Sequence, residues 1–351
     1  MADFIEESVE SNEITGLVCG VVKDGKLAWK KAYGYTDLEN EKEMKTDTIF
    51  LLASVSKTVT ATAAMILYDR GDLDIDADIN DYLPFPVTHP KYSDTPITAK
   101  MLLTHTSSIS DESYNEIDDS ILYFREGDER EYDLGSLLEE YFKEDGEFYD
   151  PELCFLKDKP GTTSDYSNVG SALLGYLVEV IAKQSFDEFC DENIFKPLGM
   201  ENTSWNLSDL DVDNVALPYY DSENTKGHYE CPDYPNGMLR SNLDDMAKFL
   251  IMFIQNGEYN GTRILEEDTA KLMKEVHFES KDGGEKSRIG LTWNYLDYPQ
   301  GESYLGHDGV EEGVTTKMFY NVESEVGVLL FSNMSEAELD DIEDYLYQQE
   351  E

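Results

Sequence analysis

The stretch Ser54-Val55-Ser56-Lys57 immediately precedes an apolar run at residues 59–67. A serine hydroxyl is a weak nucleophile at neutral pH, so a serine enzyme places a proton acceptor within hydrogen-bond reach of it. Residues i and i+3 of a helix lie on one face, so Ser54 and Lys57 meet if a helix begins near Ser54. The positive end of that helix would favour negative charge developing on a substrate oxygen. The spacing therefore predicts an activated serine nucleophile.

The motif alone is weak evidence, because a Ser-x-x-Lys match is expected about once in a chain of this length from average composition. A capped helix with an exposed lysine is the ordinary interpretation. Here, however, residues 53–67 are apolar almost all round, which predicts a buried helix. A lysine in a buried helix needs a reason, so Lys57 is a candidate catalytic residue.

A second segment, at residues 160–168, reads Pro-Gly-Thr-Thr-Ser-Asp-Tyr-Ser-Asn. Pro-Gly marks a turn, and the apolar residues at 173–181 have helical spacing. Tyr166 and Asn168 are therefore expected on a loop that leads into a helix, a usual place for catalytic groups. The tripeptide Tyr-x-Asn also occurs at residues 234–236, so it decides nothing by itself.

A third segment, at residues 304–310, reads Tyr-Leu-Gly-His-Asp-Gly-Val and precedes strand-like runs at 314–320 and 326–332. Glycines near a strand end permit close approach of the backbone to a ligand. A lone histidine is more often structural. His307 is nevertheless better placed for a functional role than the other four histidines, because it lies between two glycines in this setting.

In this order, the three segments resemble the serine β-lactamase and penicillin-binding-protein-like superfamily, and within it the class C-like branch. That branch includes family VIII carboxylesterases and D-amino-acid-specific peptidases. Further stretches look like family blocks and extend the resemblance over nearly the whole chain: residues 102–107, 160–174, 195–200 and 237–249.

The resemblance implies a role for each matching catalytic residue. Ser54 is the expected acylated nucleophile, Lys57 its activating partner and Tyr166 the tyrosine that shuttles the proton. The backbone amides of Ser54 and Val310 match the donors of the oxyanion hole. Such donors commonly contribute several kcal/mol to catalysis.

The resemblance also implies the substrate-binding residues. Asn168 matches a residue that helps to position the substrate, and His307-Asp308-Gly309 occupies the place of the family's Lys-Thr-Gly element. The family lysine supports recognition of an anionic carboxylate, whereas this chain has a mostly neutral histidine followed by an aspartate. This departure weakens the prediction of β-lactam hydrolysis. A second departure is Ser108, where relatives commonly have glycine.

Charge dominates the composition. The chain has 351 residues, with 75 acidic and 27 basic side chains and a formal net charge of -48. Nucleic acids and anionic membranes are therefore not expected partners. The acidic excess has three interpretations: solubility, steering of cationic substrates, and adaptation to high salt. We favour the third, because the acids are spread over the whole chain and salt screens their repulsion.

No metal or other cofactor is predicted. The acidic stretch at residues 72–78 lacks the glycine and glutamate of a calcium-binding EF-hand loop, having Ala77 and Leu83 at those positions. The four cysteines have neither zinc nor redox spacing, and free thiols are favoured over disulfides. The N-terminal residues as numbered show no signal peptide and no run is long enough to span a membrane, so a soluble, cytoplasmic protein is expected, with a trimmed export signal as the alternative.

The arrangement of elements predicts an α+β fold. Asp24-Gly25 joins two strand-like runs as a hairpin, a further strand is expected near residues 288–295, and Ser335 with Glu338 predicts a capping box for a C-terminal helix. The family resemblance implies an antiparallel sheet built from both termini and flanked by helices, with an inserted, mainly helical domain. The predicted division is residues 1–71 with 241–351 for the sheet domain and 72–240 for the helical domain, with the active site between them.

The predicted function is that of a serine hydrolase acting through an acyl-enzyme. A small ester is the first expected substrate, since ester cleavage needs no strong protonation of the leaving group. A D-amino-acid peptide or amide is the second and a β-lactam the third. A catalytically idle binding or scaffold protein is the alternative from another class.

Overall fold

The structure, a computed structural model, describes residues 2–125, 128, 130–221, 224–282, 285–297 and 301–348. The strands in chain order are β1 (Gly16–Lys23), β2 (Lys26–Asp37), β3 (Lys42–Glu43), β4 (Ile49–Leu51), β5 (Arg240–Asn242), β6 (Glu258–Tyr259), β7 (Thr262–Arg263), β8 (Phe278–Asp282), β9 (Glu285–Ile289), β10 (Asn294–Asp297), β11 (Ser303–Glu311), β12 (Val314–Asn321) and β13 (Gly327–Ser332). The α-helices are α1 (Ala2–Ser11), α2 (Ser56–Arg70), α3 (Ala99–Leu103), α4 (Asp119–Leu122), α5 (Leu134–Phe142), α6 (Asn168–Ala182), α7 (Phe186–Cys190), α8 (Lys196–Leu198), α9 (Leu243–Ile254), α10 (Glu267–Lys274) and α11 (Asp340–Gln348).

Across the described ranges, nine strands form one antiparallel sheet in the order β3-β2-β1-β13-β12-β11-β10-β9-β8. The sheet joins both ends of the sequence, because β1 pairs with β13. Alternate side chains of β13 serve two cores: Leu329 and Phe331 pack with α9, whereas Val328 and Leu330 pack with α1 and α11. The predicted α+β fold, a sheet flanked by helices, is confirmed.

The Asp24-Gly25 turn joins β1 and β2 as predicted. Asp24 and Gly25 have φ angles of 53° and 69°, the left-handed pair that a two-residue hairpin of this kind requires. Such a turn matches the right-handed twist of the strands it joins. The turn sets the pairing of Lys23 with Lys26, and an irregularity between Val21 and Val22 shifts the register farther along the hairpin.

Two sequence predictions about local structure are wrong. The expected strand at 288–295 is two strands, β9 and β10, because the amide of Gly290 donates to the carbonyl of Trp293 at 2.8 Å and forms a tight turn. The indole of Trp293 then stacks on Phe253 with ring centroids 3.7 Å apart. The C-terminal helix begins at Asp340, too far along the chain for Ser335 to be its N-cap, and the Ser335 hydroxyl accepts a hydrogen bond from the amide of Gly313.

Helices α2 and α6 pack against each other. Every residue of α2 from Ser56 to Leu67 is buried, as the apolar pattern predicted. One continuous core cluster includes α2, α6, α9 and residues of the sheet. The two-domain division at residues 71 and 240 stays a prediction.

Cys19, Cys154, Cys190 and Cys231 are free thiols, as predicted, and all four are buried. Burial raises the pKa of each thiol, which keeps it protonated and unreactive. None of the helices in the described part of the chain is long and apolar enough to cross a membrane.

Candidate active site

Ser54 lies in a short 3₁₀ turn, Ala53–Val55, directly before α2, so the α-helix begins at Ser56. Ala53 has a φ of 48°, in the left-handed region that residues other than glycine rarely adopt. A conformation of this kind costs about 1–3 kcal/mol and persists only where surrounding contacts enforce it. Here the amide of Leu52 donates to the carbonyl of Leu239 at 2.8 Å, which holds the turn against β5. The backbone before the candidate nucleophile is thus held rigidly.

Lys57 projects from the first turn of α2 and is 1% exposed. Its Nζ lies within hydrogen-bond distance of three oxygen atoms: Oγ of Ser54 at 3.0 Å, Oδ1 of Asn168 at 2.8 Å and the backbone carbonyl of Asn236 at 2.7 Å. The last two oxygens can only accept. An uncharged amine therefore donates to Asn168 and Asn236 and keeps its lone pair for the proton of Ser54.

Burial governs the charge of this amine. It lowers the pKa of Lys57 from its ordinary 10.5 to about 7. Nearby carboxylates oppose this shift, since each favours the charged amine; they are Asp111, Glu311, Asp233 and Asp308. Lys57 is therefore able to gain and lose a proton near neutral pH.

Tyr166 lies on the loop before α6, with its ring at the mouth of the site and 43% exposed. Against the larger effect of burial, Ser54 lies close enough to its hydroxyl group to lower the pKa of the phenol. The ring centroid is 4.9 Å from Nζ of Lys57 and 4.5 Å from the ring of His105. Loss of hydration raises the pKa of the phenol well above its usual 10, so Tyr166 carries its proton at neutral pH. The structure thus brings Ser54, Lys57 and Tyr166 together.

The first turn of α6 is fixed by Asp111. Its carboxylate accepts hydrogen bonds from the Ser167 hydroxyl at 2.7 Å, the Asn168 amide at 2.6 Å and the Val169 amide at 3.2 Å. An anion at a helix N-terminus is favoured by the helix dipole and by the unpaired amides there. The amide of Ser167 also donates to Nδ1 of His105 at 3.2 Å. These contacts set the position of Asn168, the first residue of the helix.

Strand β11 passes directly beside the serine turn at Gly309. A methyl group at Gly309 would lie 2.9 Å from the backbone nitrogen of Ser54, 2.7 Å from the carbonyl oxygen of Leu52 and 2.5 Å from Oγ1 of Thr316. A real β-carbon does not approach backbone atoms this closely, so this approach requires glycine. Val310, the next residue along β11, follows directly after this point of close approach.

His307 is 2% exposed on the same strand. Its Nδ1 lies 2.5 Å from the carbonyl oxygen of Asp308. A carbonyl can only accept, so Nδ1 donates and a neutral ring presents Nε2 as an acceptor. Nε2 has no hydrogen-bond partner among the described residues. Burial lowers the pKa of His307, which favours the neutral ring, while the side chain of Asp308 is 64% exposed.

The motifs did not identify three residues that hold the site. Asn236 belongs to the second Tyr-x-Asn tripeptide, and its main-chain carbonyl rather than its side chain binds Lys57. Asp111 and His105 lie on the loop after α3, where no pattern marks a contact with α6. His105 does lie within a stretch that looked like a family block, and its φ of 53° shows a tight turn there.

A cavity of 910 Å³ opens beside Tyr166 and Asp308. Its far wall comes from β9 and β10, where Arg288, Tyr295 and Leu296 line it. Arg288 is paired with Asp297, so the wall presents mixed polar and apolar groups without a free cation at that position. In the described ranges, no group of three or more His, Cys, Asp or Glu side chains is placed to hold a metal ion.

The sheet, the helices packed on it and the serine turn at the start of a buried helix define a fold of the β-lactamase and transpeptidase class. A family model described as Beta-lactamase matches residues 1–351, and the chain belongs to this family of serine hydrolases. The family resemblance found in the sequence is confirmed.

Among curated proteins, Protein flp of Staphylococcus aureus (strain MRSA252) is 23% identical over 337 residues, which cover 95% of this chain and 62% of that protein. This chain therefore spans less than two thirds of that relative. The octameric penicillin-binding protein homologue from Pyrococcus abyssi has a TM-score of 0.77 and 26% identity, covering 96% of this chain and 73% of that one. The D-amino acid amidase from Ochrobactrum anthropi SV3 also has a TM-score of 0.77, at 20% identity, with 99% of both chains covered; at this identity the likeness shows the fold alone.

Proposed function

We propose that the protein cleaves small esters through an acyl-enzyme formed on Ser54. The observation that carries this proposal is the 3.0 Å contact between Oγ of Ser54 and Nζ of the buried Lys57. With the pKa of Lys57 lowered to about 7 by burial, a large fraction of the amine is uncharged near neutral pH. A base whose pKa lies close to the working pH is best suited to this proton transfer.

In the proposed acylation step, Nζ of Lys57 takes the proton of Ser54 as Oγ forms a bond to the ester carbonyl carbon. The carbonyl oxygen becomes an oxyanion, which the backbone amides of Ser54 and Val310 stabilise; the close approach at Gly309 supports this pairing. The bond to the leaving alkoxide then breaks. Tyr166, whose ring centroid lies 4.9 Å from Nζ of Lys57, relays the proton from the lysine to the leaving oxygen. Water later attacks the acyl-enzyme, releasing the acid and restoring the serine.

The charges around the site support a neutral substrate. An acceptor nitrogen at His307 cannot donate to a carboxylate, as the family lysine does, and Asp308 and Glu311 add negative charge beside it. At these positions a substrate carboxylate would meet negative charge, and His307 would not supply the cation that the family lysine supplies. We therefore place a neutral short-chain ester ahead of a β-lactam.

A D-amino-acid amide or peptide is the second candidate, and Glu311 is the observation that favours it. This half-buried carboxylate lies one residue beyond Val310, and burial raises its pKa. A substrate ammonium would lower the cost of keeping such a group charged. Asn168 has its side-chain oxygen committed to Lys57, which leaves its amide nitrogen to position the substrate in either case.

The test is a hydrolysis panel of p-nitrophenyl esters, D-amino-acid amides and a chromogenic cephalosporin, run with wild type, Ser54→Ala and Ser56→Ala. Ser56 is the matched control because it lies two residues away, with its hydroxyl accepting from Leu239 rather than facing Lys57. Ester hydrolysis should disappear in Ser54→Ala, and a fluorophosphonate should form one adduct, on Ser54. Turnover that survives in Ser54→Ala, or an adduct on Ser56, would overturn the proposal, and an inert wild type would favour a binding or scaffold role.

A further inference from the structure

The turn at Tyr234–Asn236 is fastened to the first two turns of helix α2 at three points. The Asn236 carbonyl accepts from Lys57 at 2.7 Å, and the Pro235 carbonyl accepts from the Thr60 hydroxyl at 2.6 Å. Just beyond the turn, the amide of Leu239 donates to the Ser56 hydroxyl at 3.1 Å. The turn therefore forms one wall of the lysine site.

Asp233 stands at the head of this turn and is 2% exposed. Its Oδ2 accepts a hydrogen bond from the Tyr114 hydroxyl at 2.7 Å and another from Nδ2 of Asn236 at 2.5 Å. Its Oδ1 is buried without a hydrogen-bond partner in the part of the chain that the structure describes. A buried carboxylate left half-satisfied is costly to a fold and needs an explanation.

We propose that Asp233 is a positioning residue for the reaction. It holds Asn236 in the position from which the Asn236 carbonyl binds Lys57. It also supplies a buried negative charge that favours the protonated amine of Lys57. This proposal rests on the proposed function, since it assigns Lys57 as the proton acceptor of Ser54. The Asp233 carboxylate then has two roles: it positions Asn236 through a hydrogen bond, and its charge acts on the Lys57 amine without direct contact.

Other carboxylates share the electrostatic part of this role, but among those acting on Lys57 only Asp233 makes a hydrogen bond to the Asn236 side chain within the described residues. Lys57 is also faced by the carboxylates Asp111, Glu311 and Asp308, by the imidazoles His105 and His307, and by the phenol Tyr166. Asp233 is also faced by Glu311, Tyr114, Tyr123 and Cys231. Neither histidine touches the Asn236 turn through a hydrogen bond that the described residues show.

The direction of the electrostatic effect follows from the two groups. Burial raises the pKa of Asp233 from 3.8 to about 6, so the carboxylate is charged where Lys57, with a pKa of about 7, titrates. An anion nearby favours the charged amine. Removing the charge therefore lowers the pKa of Lys57 further and leaves more neutral amine at acidic pH.

Asp233→Asn removes the negative charge of this side chain while keeping its two hydrogen bonds. Both existing hydrogen bonds reach Oδ2, so the oxygen of an asparagine amide at that place accepts both, and its nitrogen takes the position of the unpartnered Oδ1. The matched control is Asp245→Asn. Asp245 is equally buried, at 2% exposed, but it lies on α9, accepts hydrogen bonds from the Asn202 amide and Lys248, and is not among the main groups that act on Lys57.

The measurement is the rate of Ser54 labelling by a fluorophosphonate from pH 5 to 9, which needs no knowledge of the substrate. For Asp233→Asn we expect the acidic limb of the rate profile to move to lower pH by about half a unit or more, with Asp245→Asn unmoved. Tyr114→Phe removes a hydrogen bond that lowers the pKa of Asp233. It should move the limb in the same direction by less, and it keeps the proposal testable if Asp233→Asn does not fold.

An unchanged limb in folded Asp233→Asn, or an equal shift in Asp245→Asn, overturns the inference. A loss of labelling at all pH values without a shift assigns Asp233 to structure alone and also overturns it. Failure of the proposed function gives a different result, because wild type would then show no labelling of Ser54 at any pH.

Discussion

Nζ of Lys57 lies 2.8 Å from Oδ1 of Asn168, so the first residue of α6 holds the buried amine of α2. Asn168 is itself fixed, because its own amide donates to Asp111 at 2.6 Å. The side-chain amide is neutral, so it orients the lysine without adding charge. Burial and the surrounding carboxylates therefore set the pKa of Lys57.

Two substitutions of Asn168 should distinguish its role in orienting Lys57 from the effect of a negative charge beside Lys57. Asn168→Asp adds an anion against the amine, which favours its charged form, and we expect the acidic limb of kcat/KM to move to higher pH by about one unit or more. Asn168→Ala removes the acceptor without adding charge and should lower kcat about tenfold or more. The readout is the pH profile of p-nitrophenyl acetate hydrolysis. Coincident limbs in wild type and Asn168→Asp would show that the amine is not the titrating group.

The wild-type profile should itself rise through neutrality. The active form needs an uncharged Lys57, whose pKa is lowered by burial to about 7, so activity is present above that pH and is lost as the pH falls through it. Below the limb, kcat/KM should fall about tenfold per pH unit. Lys57→Met preserves the apolar stem and should remove the activity at every pH. A flat profile between pH 5 and 9 would contradict the assignment of Lys57 as base.

The preference for a neutral over an anionic substrate should depend on His307 and Asp308. A neutral short-chain ester should have a higher kcat/KM than a cephalosporin, because His307 and Asp308 offer no cation to the drug's carboxylate. The double variant His307→Lys with Asp308→Thr places a cation where Nε2 now lies. It should reduce the difference in kcat/KM between the ester and the cephalosporin, and Asp308→Thr alone should reduce that difference less. Efficient cephalosporin hydrolysis by the wild type at low salt is the outcome that would defeat this prediction.

Gly309→Ala should damage the site without unfolding the protein. The added methyl group would press on the backbone of Ser54 and Leu52 and displace β11 from the serine turn, so the proposed oxyanion donors separate. A loss of one such donor costs about a hundredfold or more in kcat. Gly71→Ala is the control for backbone strain away from the site, since Gly71 has a φ of 75° but no atom within 4 Å of the position that an added methyl group would take. Equal kcat values for the two variants would argue against the close approach at Gly309.

The net charge of -48 should make stability depend on salt. The screening length is about 30 Å at 0.01 M ionic strength and about 3 Å at 1 M, so repulsion across the fold largely disappears over this range. The melting temperature and ester hydrolysis should both rise between about 0.01 and 3 M potassium chloride, with sucrose as the osmolyte control. A melting temperature that stays flat or falls would leave the acidic surface as a solubility device only.

The sequence predicted those features that depend on periodicity and local chemistry. The buried character of α2, the spacing of Ser54 and Lys57 and the Asp24-Gly25 hairpin follow from patterns within a few residues. Ser108, noted because relatives commonly have glycine there, adopts a φ of 62°, which explains why glycine suits that position.

Other features depended on contacts between distant segments. The Asn236 carbonyl binds Lys57, which lies 179 positions away in the sequence. Every residue has a backbone carbonyl, so the residue type at position 236 could not indicate this contact. Ser335 is not a helix cap because the helix begins at Asp340, and its hydroxyl binds the amide of Gly313 on a distant segment. The break between β9 and β10 arises because Trp293 is drawn onto Phe253 in the core.

The pairing of β1 with β13 has a consequence for how the chain reaches its native state. Leu17 lies opposite Ser332, so the middle of the sheet closes a loop of more than 300 residues. During synthesis, the first hairpin has unpaired backbone groups along the β1 edge until β13 has also been made and can pair with it. Distant pairings of this kind slow folding and leave strand edges exposed to other chains. We therefore expect refolding to be slow and to yield less native protein as the chain concentration rises.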